Sequence, residues 1–174
     1  MKVIKDYARL AEVVKGLRAA DCKIVVTIGS WDLLHIGHVR YLLNAKSHGD
    51  ILIVGVDTDR AIKLYKGPFR PVVPQEERIE MRSYQSCVDF VTSLDDVDDK
   101  GNWQYQLIDV LKPDVFVAVE DSYPENQLAD IRKHAKEVKV LPRQAENTST
   151  TRMIQGTVKK HLDQMYELLE KKKF

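Results

Sequence analysis

The 174 residues suit one α/β layer structure with a sizeable core, and 27 lysines and arginines against 26 aspartates and glutamates leave a net charge of +1. Charge spread this evenly gives no electrostatic case for a nucleic-acid or membrane partner, so any phosphate has to be gripped by a local cluster. Two distant cysteines, Cys22 and Cys87, argue against a disulfide framework and for a reducing, cytoplasmic compartment; Met1-Lys2-Val3-Ile4-Lys5-Asp6 lacks a signal-peptide apolar run, and no segment approaches a membrane span.

Apolar positions Leu10, Val13, Val14 and Leu17 predict a helix over residues 7–20, and Lys23-Ile24-Val25-Val26-Thr27-Ile28 predicts a buried strand ending at Gly29. A helix from about Gly37 to Ser47 turns Val39, Leu42, Leu43 and Ala45 inward, and residues 50–56 make the second strand of a βαβ unit. Strands are expected at 88–92, 115–119 and 138–141, and helices near 75–86, 103–111, 124–136 and 151–171. This alternation predicts an α/β fold, a Rossmann-like doubly wound parallel sheet of about five strands with helices on both faces. We expect a single domain over 1–174: an N-terminal helix in 1–20, a catalytic core over 23–158 and a C-terminal helical extension over 159–174. Lys171-Lys172-Lys173 reads as a basic tail that solvates the last helix.

The stretch that carries chemistry is Gly29-Ser30-Trp31-Asp32-Leu33-Leu34-His35-Ile36-Gly37-His38, at the end of the first strand. In an open α/β sheet ligands bind beyond the carboxyl ends of the strands, where a starting helix offers free N–H groups and its positive dipole end to an anion. Two histidines three residues apart share one side of that helix start, and Gly37 removes a side chain from the phosphate's path. Both imidazoles can then donate to phosphate oxygens; the plainer alternative is two surface histidines on an amphipathic helix.

This segment resembles the HxGH signature of the nucleotidyltransferase superfamily. Asp57-Thr58-Asp59, Lys63, Lys66-Gly67, Arg70-Pro71 and Glu77-Arg78 resemble the basic segment after the second strand in its bacterial sugar-phosphate and glycerol-phosphate members. Pro142-Arg143 and Thr148-Ser149-Thr150-Thr151 resemble their "ISTT" motif, with Thr148 in place of isoleucine. The likeness spans roughly residues 8–158 and is nearest to the adenylyltransferase half of the bifunctional heptose enzyme.

The resemblance implies a nucleotidyltransferase that uses a nucleoside triphosphate with Mg²⁺ and a phosphorylated small molecule, and it implies a homodimer. Transfer at an α-phosphate needs positioning and charge stabilisation, with no general base, because the nucleophile is already a phosphate oxygen. His35 and His38 are assigned to the triphosphate, Lys63, Lys66 and Arg70 to the acceptor phosphate or the triphosphate, and Ser149 to Thr151 to the pyrophosphate. Lys63, Lys66 and Arg70 are expected on a loop, where a solvated basic face is the competing reading. Arg78 either binds nucleotide or pairs with Glu76 or Glu80. One hydroxyl of the 148–151 run serves as a helix cap whether or not a ligand is present. No carboxylate cage for a metal is visible; Asp32 either touches Mg²⁺ or forms a turn or helix cap.

The likeness breaks at Ala118-Val119-Glu120-Asp121-Ser122-Tyr123, where relatives carry a glycine-rich "KGGDY"-like stretch, and at Ser30 and Trp31, where cysteine or threonine and phenylalanine are usual. Glu120 or Asp121 binds a ribose hydroxyl, an acceptor amine or nothing. Adenylyl transfer from ATP to a sugar 1-phosphate is the leading expectation. Cytidylyl transfer from CTP to glycerol 3-phosphate or a related alcohol phosphate is the enzymatic alternative, and a nucleotide-binding regulator without turnover is the alternative of another class. An RNA-acting synthetase fragment fails for want of a basic patch.

Overall fold

Five runs rich in β-branched and aliphatic residues form strands in the computed structural model, which describes residues 2–171: β1 (Ile24–Gly29), β2 (Ile51–Asp57), β3 (Phe90–Leu94), β4 (Val115–Val119) and β5 (Glu137–Leu141). They make one all-parallel sheet in the order β3-β2-β1-β4-β5, with β1 and β2 in register from Ile24 opposite Ile51 to Gly29 opposite Val56. The chain runs outward from β1 through β2 to β3, then crosses to β4 and β5 on the other side. The order therefore reverses between β1 and β4, and the crevice beyond the carboxyl ends at that point is where such sheets take ligands.

Both faces of the sheet are covered, as the near-continuous apolar strands require. Alternate residues Ile24, Val26 and Ile28 of β1, with Ile53, Phe116 and Ala118, pack under α1 (Tyr7–Ala19), α5 (Gln106–Leu111) and α6 (Glu125–Ile131). The opposite set, Val25, Leu52, Val54, Val115 and Val117, packs under α2 (Ile36–Lys46) and α4 (Gln75–Ser83). Tyr41 pins α2 in place: its buried hydroxyl donates to the Val117 carbonyl at 2.8 Å and lies 2.7 Å from Thr27 Oγ1, so the helix that carries His38 is tied to both β1 and β4.

One element departs from the expected pattern. Residues 59–66 form a helix, α3 (Asp59–Lys66), where the sequence reads as a loop. Its signals are local ones: Thr58 Oγ1 accepts the Ala61 N–H at 3.1 Å, Asp59 complements the dipole in the first turn, and Gly67 at φ +90° ends it. The last helix, α7 (Thr150–Lys171), runs 22 residues with none of them buried. Of the basic tail only Lys171 falls within the described residues. No helix among the described residues is long and apolar enough to cross a membrane.

Candidate active site

The carboxyl ends of β1, β2 and β4 and the start of α7 enclose a cleft of about 1130 Å³. That volume is above the usual range for one drug-sized ligand and is enough for a nucleotide and an acceptor side by side.

His35 is the N-cap of α2, and its Nδ1 accepts the Gly37 N–H at 3.1 Å. That bond leaves the ring proton on Nε2, the atom able to donate to a ligand. The His38 ring stacks on it at 3.9 Å, and Trp31 meets His38 edge-on at 5.5 Å. Gly37 is needed for more than ligand access: a Cβ there would stand 3.0 Å from the His35 ring and 3.1 Å from Ala145. Trp31, only 5% exposed, donates from Nε1 to the Gly55 carbonyl at 2.8 Å, and the buried Arg82 guanidinium lies 5.4 Å above its ring while donating to the Trp31 carbonyl. The loop reaches this arrangement through two non-glycine residues in the left-handed region, Trp31 at φ 52° and Leu33 at φ 46°, a strain of about 1–3 kcal/mol each that is typical of functional turns.

These surroundings keep the imidazoles neutral. Burial, then the charges of His35, Arg82 and Lys66, push His38 down to about 3, and burial followed by Arg82 lowers His35. Stability follows. Between pH 6.5 and about 3 the unfolded chain takes a proton at His38 that the native state refuses, so acidification through this window weakens the fold. Asp57, raised to about 6 by burial, acts in the opposite sense between pH 6 and 4. Replacing His38 by Asn should therefore shift stability in the variant's favour by about 2–3 kcal/mol on going from pH 7 to pH 4.5, read by urea unfolding of both proteins. A difference independent of pH would show that His38 is not held neutral.

The remaining residues singled out in the sequence separate into those that face the cleft and those that build it. Lys66 lines the cleft, its ammonium 2.7 Å from Ser30 Oγ. Lys63 is exposed, one turn away on α3, and does not line it. Arg70 lines the cleft with only Nε engaged, on Asp32 at 2.8 Å. Asp32 itself is fully buried. Burial would raise its pKa, but the Val72 and Val73 N–H groups and Arg70 outweigh it and hold the carboxyl below its usual value. Both of its oxygens are thereby spent on the loop after α3, so its role is that of a turn anchor and it has no oxygen free for a metal. Among the described residues no group of three or more metal-ligating side chains exists.

Arg78 is a correction of position. It is fully buried behind the cleft and does not line it: Nε donates to the Val73 carbonyl, Nη1 to the Ser30 carbonyl, and Nη2 to the Asp57 carbonyl and to the Asp59 carboxylate at 2.6 Å. The anticipated partners Glu76 and Glu80 are not used. Glu120 likewise faces away and accepts the Arg143 N–H at 2.9 Å, whereas Asp121 and Arg143 line the cleft with 3.9 Å between Asp121 Oδ2 and Arg143 Nε. Thr148 to Thr151 also line it. Ser149 Oγ caps the Arg152 N–H and Thr150 Oγ1 donates to the Asp32 carbonyl at 2.7 Å, so two hydroxyls set the start of α7 beside the histidine loop. First-turn N–H groups there have no partner within the helix and remain available to an anion. Asp57, Tyr65, Trp103 and Tyr123 complete the cleft and were not assigned as site residues; Asp57 and Tyr123 fall inside stretches quoted above, whereas Tyr65 and Trp103 carry no local signal, and only the fold brings the four together.

Fold and site together define a nucleotidyltransferase-type enzyme, and the chain belongs to the cytidylyltransferase-like family, which matches residues 26–157. Among curated proteins it is similar to the bifunctional protein HldE of Geobacter metallireducens, 38% identical over 122 residues (70% of this chain, 24% of that protein), and to that of Trichlorobacter lovleyi, 31% identical over 163 residues (92% and 32%). The chain thus spans about a quarter to a third of the length of these relatives. Among solved structures it is similar to a lipopolysaccharide core biosynthesis protein from Thermoplasma volcanium, with a TM-score of 0.55 and 28% identity over 70% of this chain and 96% of that one. A pantoate-beta-alanine ligase from Francisella tularensis shares the fold at 15% identity, with a TM-score of 0.59 and coverage of 84% and 68%.

Proposed function

We propose that the enzyme transfers AMP from Mg²⁺-bound ATP to a sugar 1-phosphate and releases pyrophosphate. The observation that supports this best is the convergence of two anion-binding helix starts, α2 with His35 and His38 and α7 with Ser149 to Thr151, over one cleft large enough for both substrates. In this reading the acceptor phosphate approaches beside Lys66 and Arg70 and attacks the α-phosphorus, and the P–O bond to pyrophosphate breaks in line. Neutral histidines donate hydrogen bonds to the phosphates, and Arg143 with the α7 start holds the departing pyrophosphate. The similarity to HldE favours ATP and a heptose-like phosphate; CTP with glycerol 3-phosphate is the competing pair. Pyrophosphate release from ATP and CTP, each with Mg²⁺ and a panel of sugar 1-phosphates and alcohol phosphates, decides between them. Release dependent on ATP and a sugar phosphate supports the proposal, and nucleotide binding without release under any pairing would favour a non-catalytic regulator.

The free thiols of Cys22 and Cys87 suit a cytoplasmic setting. We also read the enzyme as a homodimer formed through α7. Val158, Leu162, Met165 and Leu169 recur at spacings of four, three and four on that helix, and each is about half exposed. Antiparallel pairing of two copies would match Val158 with Leu169 and Leu162 with Met165, and bring Lys159 and Lys160 toward Glu167 and Glu170. Sedimentation should show a dimer that Leu162→Glu converts to monomer; a monomeric parent protein would refute it.

A further inference from the structure

One end of the cleft is walled by aromatic side chains. It is built by Asp57 at the tip of β2, Tyr65 on α3, Trp103 before α5 and Tyr123 after β4. The rings form a continuous wall, Tyr65 and Trp103 at 5.9 Å and Trp103 and Tyr123 at 6.5 Å between centroids. Two of the polar tips are already engaged: Tyr65 donates its hydroxyl to Asp57 Oδ2, and Tyr123 donates to the Ile28 carbonyl at 3.2 Å. Asp57 is 1% exposed, lines the cleft, and its Oδ1 is buried without a partner. A buried carboxylate oxygen without a donor calls for a partner.

We propose that this end is the acceptor subsite and that Asp57 is its specificity-determining residue: Oδ1 accepts a hydrogen bond from a hydroxyl of a polyhydroxylated acceptor whose C–H face packs on Trp103. The inference rests on the transferase reading above and assigns the acceptor to one end of the same cleft. Charge favours a neutral hydroxyl over an amine. Lys66 lines the cleft and the Arg78 guanidinium donates to the Asp57 backbone carbonyl at 2.8 Å, so a cationic acceptor at Asp57 would meet two like charges. The Lys66 ammonium, 2.7 Å from Ser30 Oγ in the same cleft, meets the acceptor's phosphate in this assignment.

The test is direct binding, which needs no turnover. Tryptophan fluorescence of the full chain is titrated with ATP alone and, separately, with aldose 1-phosphates, glycerol 3-phosphate and phosphoethanolamine, for the parent protein, Asp57→Asn and Trp103→Leu. We expect at least one aldose 1-phosphate to bind the parent at least tenfold more tightly than phosphoethanolamine. Both variants should lose tenfold or more for that sugar phosphate and stay within twofold for ATP. Asp57→Asn should melt no lower than the parent at pH 7, because it removes a buried charge, whereas a merely structural carboxylate would lower the melting point. Equal sugar-phosphate affinity in parent and Asp57→Asn, a preference for phosphoethanolamine, or ATP binding with no acceptor binding anywhere in the panel would each overturn the assignment. Failure to bind ATP would instead strike the transferase reading itself.

Discussion

Replacing His38 by alanine is expected to lower kcat by roughly 100- to 1000-fold while leaving nucleotide affinity within about threefold, and His35→Ala should behave in the same way. The expectation follows from the state of the two rings. Each is neutral, the two rings stack on each other at 3.9 Å, and His38 meets edge-on a tryptophan that is hydrogen-bonded to β2. A neutral imidazole held this firmly offers one oriented N–H donor whose value rises as negative charge moves onto the departing pyrophosphate, and an interaction made stronger in the transition state appears in kcat. In the proposed reading ground-state affinity depends more on the start of α7, Lys66, Arg70 and Arg143, which both variants retain. The double variant should fall little further than either single one, because the stacked rings act as a unit. Single-turnover rates and equilibrium nucleotide binding on the same preparations check this; unchanged turnover in both single variants would remove the histidines from the mechanism.

Arg78→Ala is expected to cost about 3–5 kcal/mol of stability and to lower the melting temperature by on the order of 10 °C. The guanidinium joins four segments: the loop before α4, the residue after β1, the end of β2 and the first turn of α3. Its removal leaves three carbonyls and the Asp59 carboxylate without their donor. Lysine should not rescue it, since one ammonium cannot span the planar fork of contacts made by Nε, Nη1 and Nη2. Thermal melts of Arg78→Ala and Arg78→Lys, paired with nucleotide binding measured well below the melting temperature, distinguish the two roles considered for this residue. Parental stability with weakened nucleotide binding would restore a ligand-contact role; the structure supports the reverse.

Arg78 also shows where reading the chain alone reaches its limit. That an arginine at this position matters is legible from its place after Lys66, Arg70 and Glu77, but whether it touches the nucleotide or the backbone depends on which carbonyls the fold brings to it. Glu120 is a similar case: next to Asp121 in sequence, it turns to the Arg143 N–H while Asp121 faces the cleft. Lys63 and Lys66, three residues apart, end in different places: Lys66, the last residue of α3, lies beside Ser30 and lines the cleft, whereas Lys63, one turn earlier, does not reach it. The helix could have been read from Thr58, Asp59 and Gly67, all of which are local signals.

What the sequence determined by itself is what is encoded over short spans. Alternating apolar runs specify a parallel sheet with helices on both faces, and His35-Ile36-Gly37-His38 at the end of the first strand specifies a helix start suited to phosphate. The hydroxyl run before α7 marks a second such start. The tertiary structure decided which charges are spent on the protein and which remain for a ligand. It withdrew Asp32 and Arg78 into the scaffold, turned Glu120 to the Arg143 N–H, gathered Asp57, Tyr65, Trp103 and Tyr123 into one wall, and buried His38 deeply enough to keep it neutral. Periodicity follows from one residue's relation to its neighbours three or four places away. Hydrogen-bond partnership and desolvation depend on atoms that meet only after the sheet has closed.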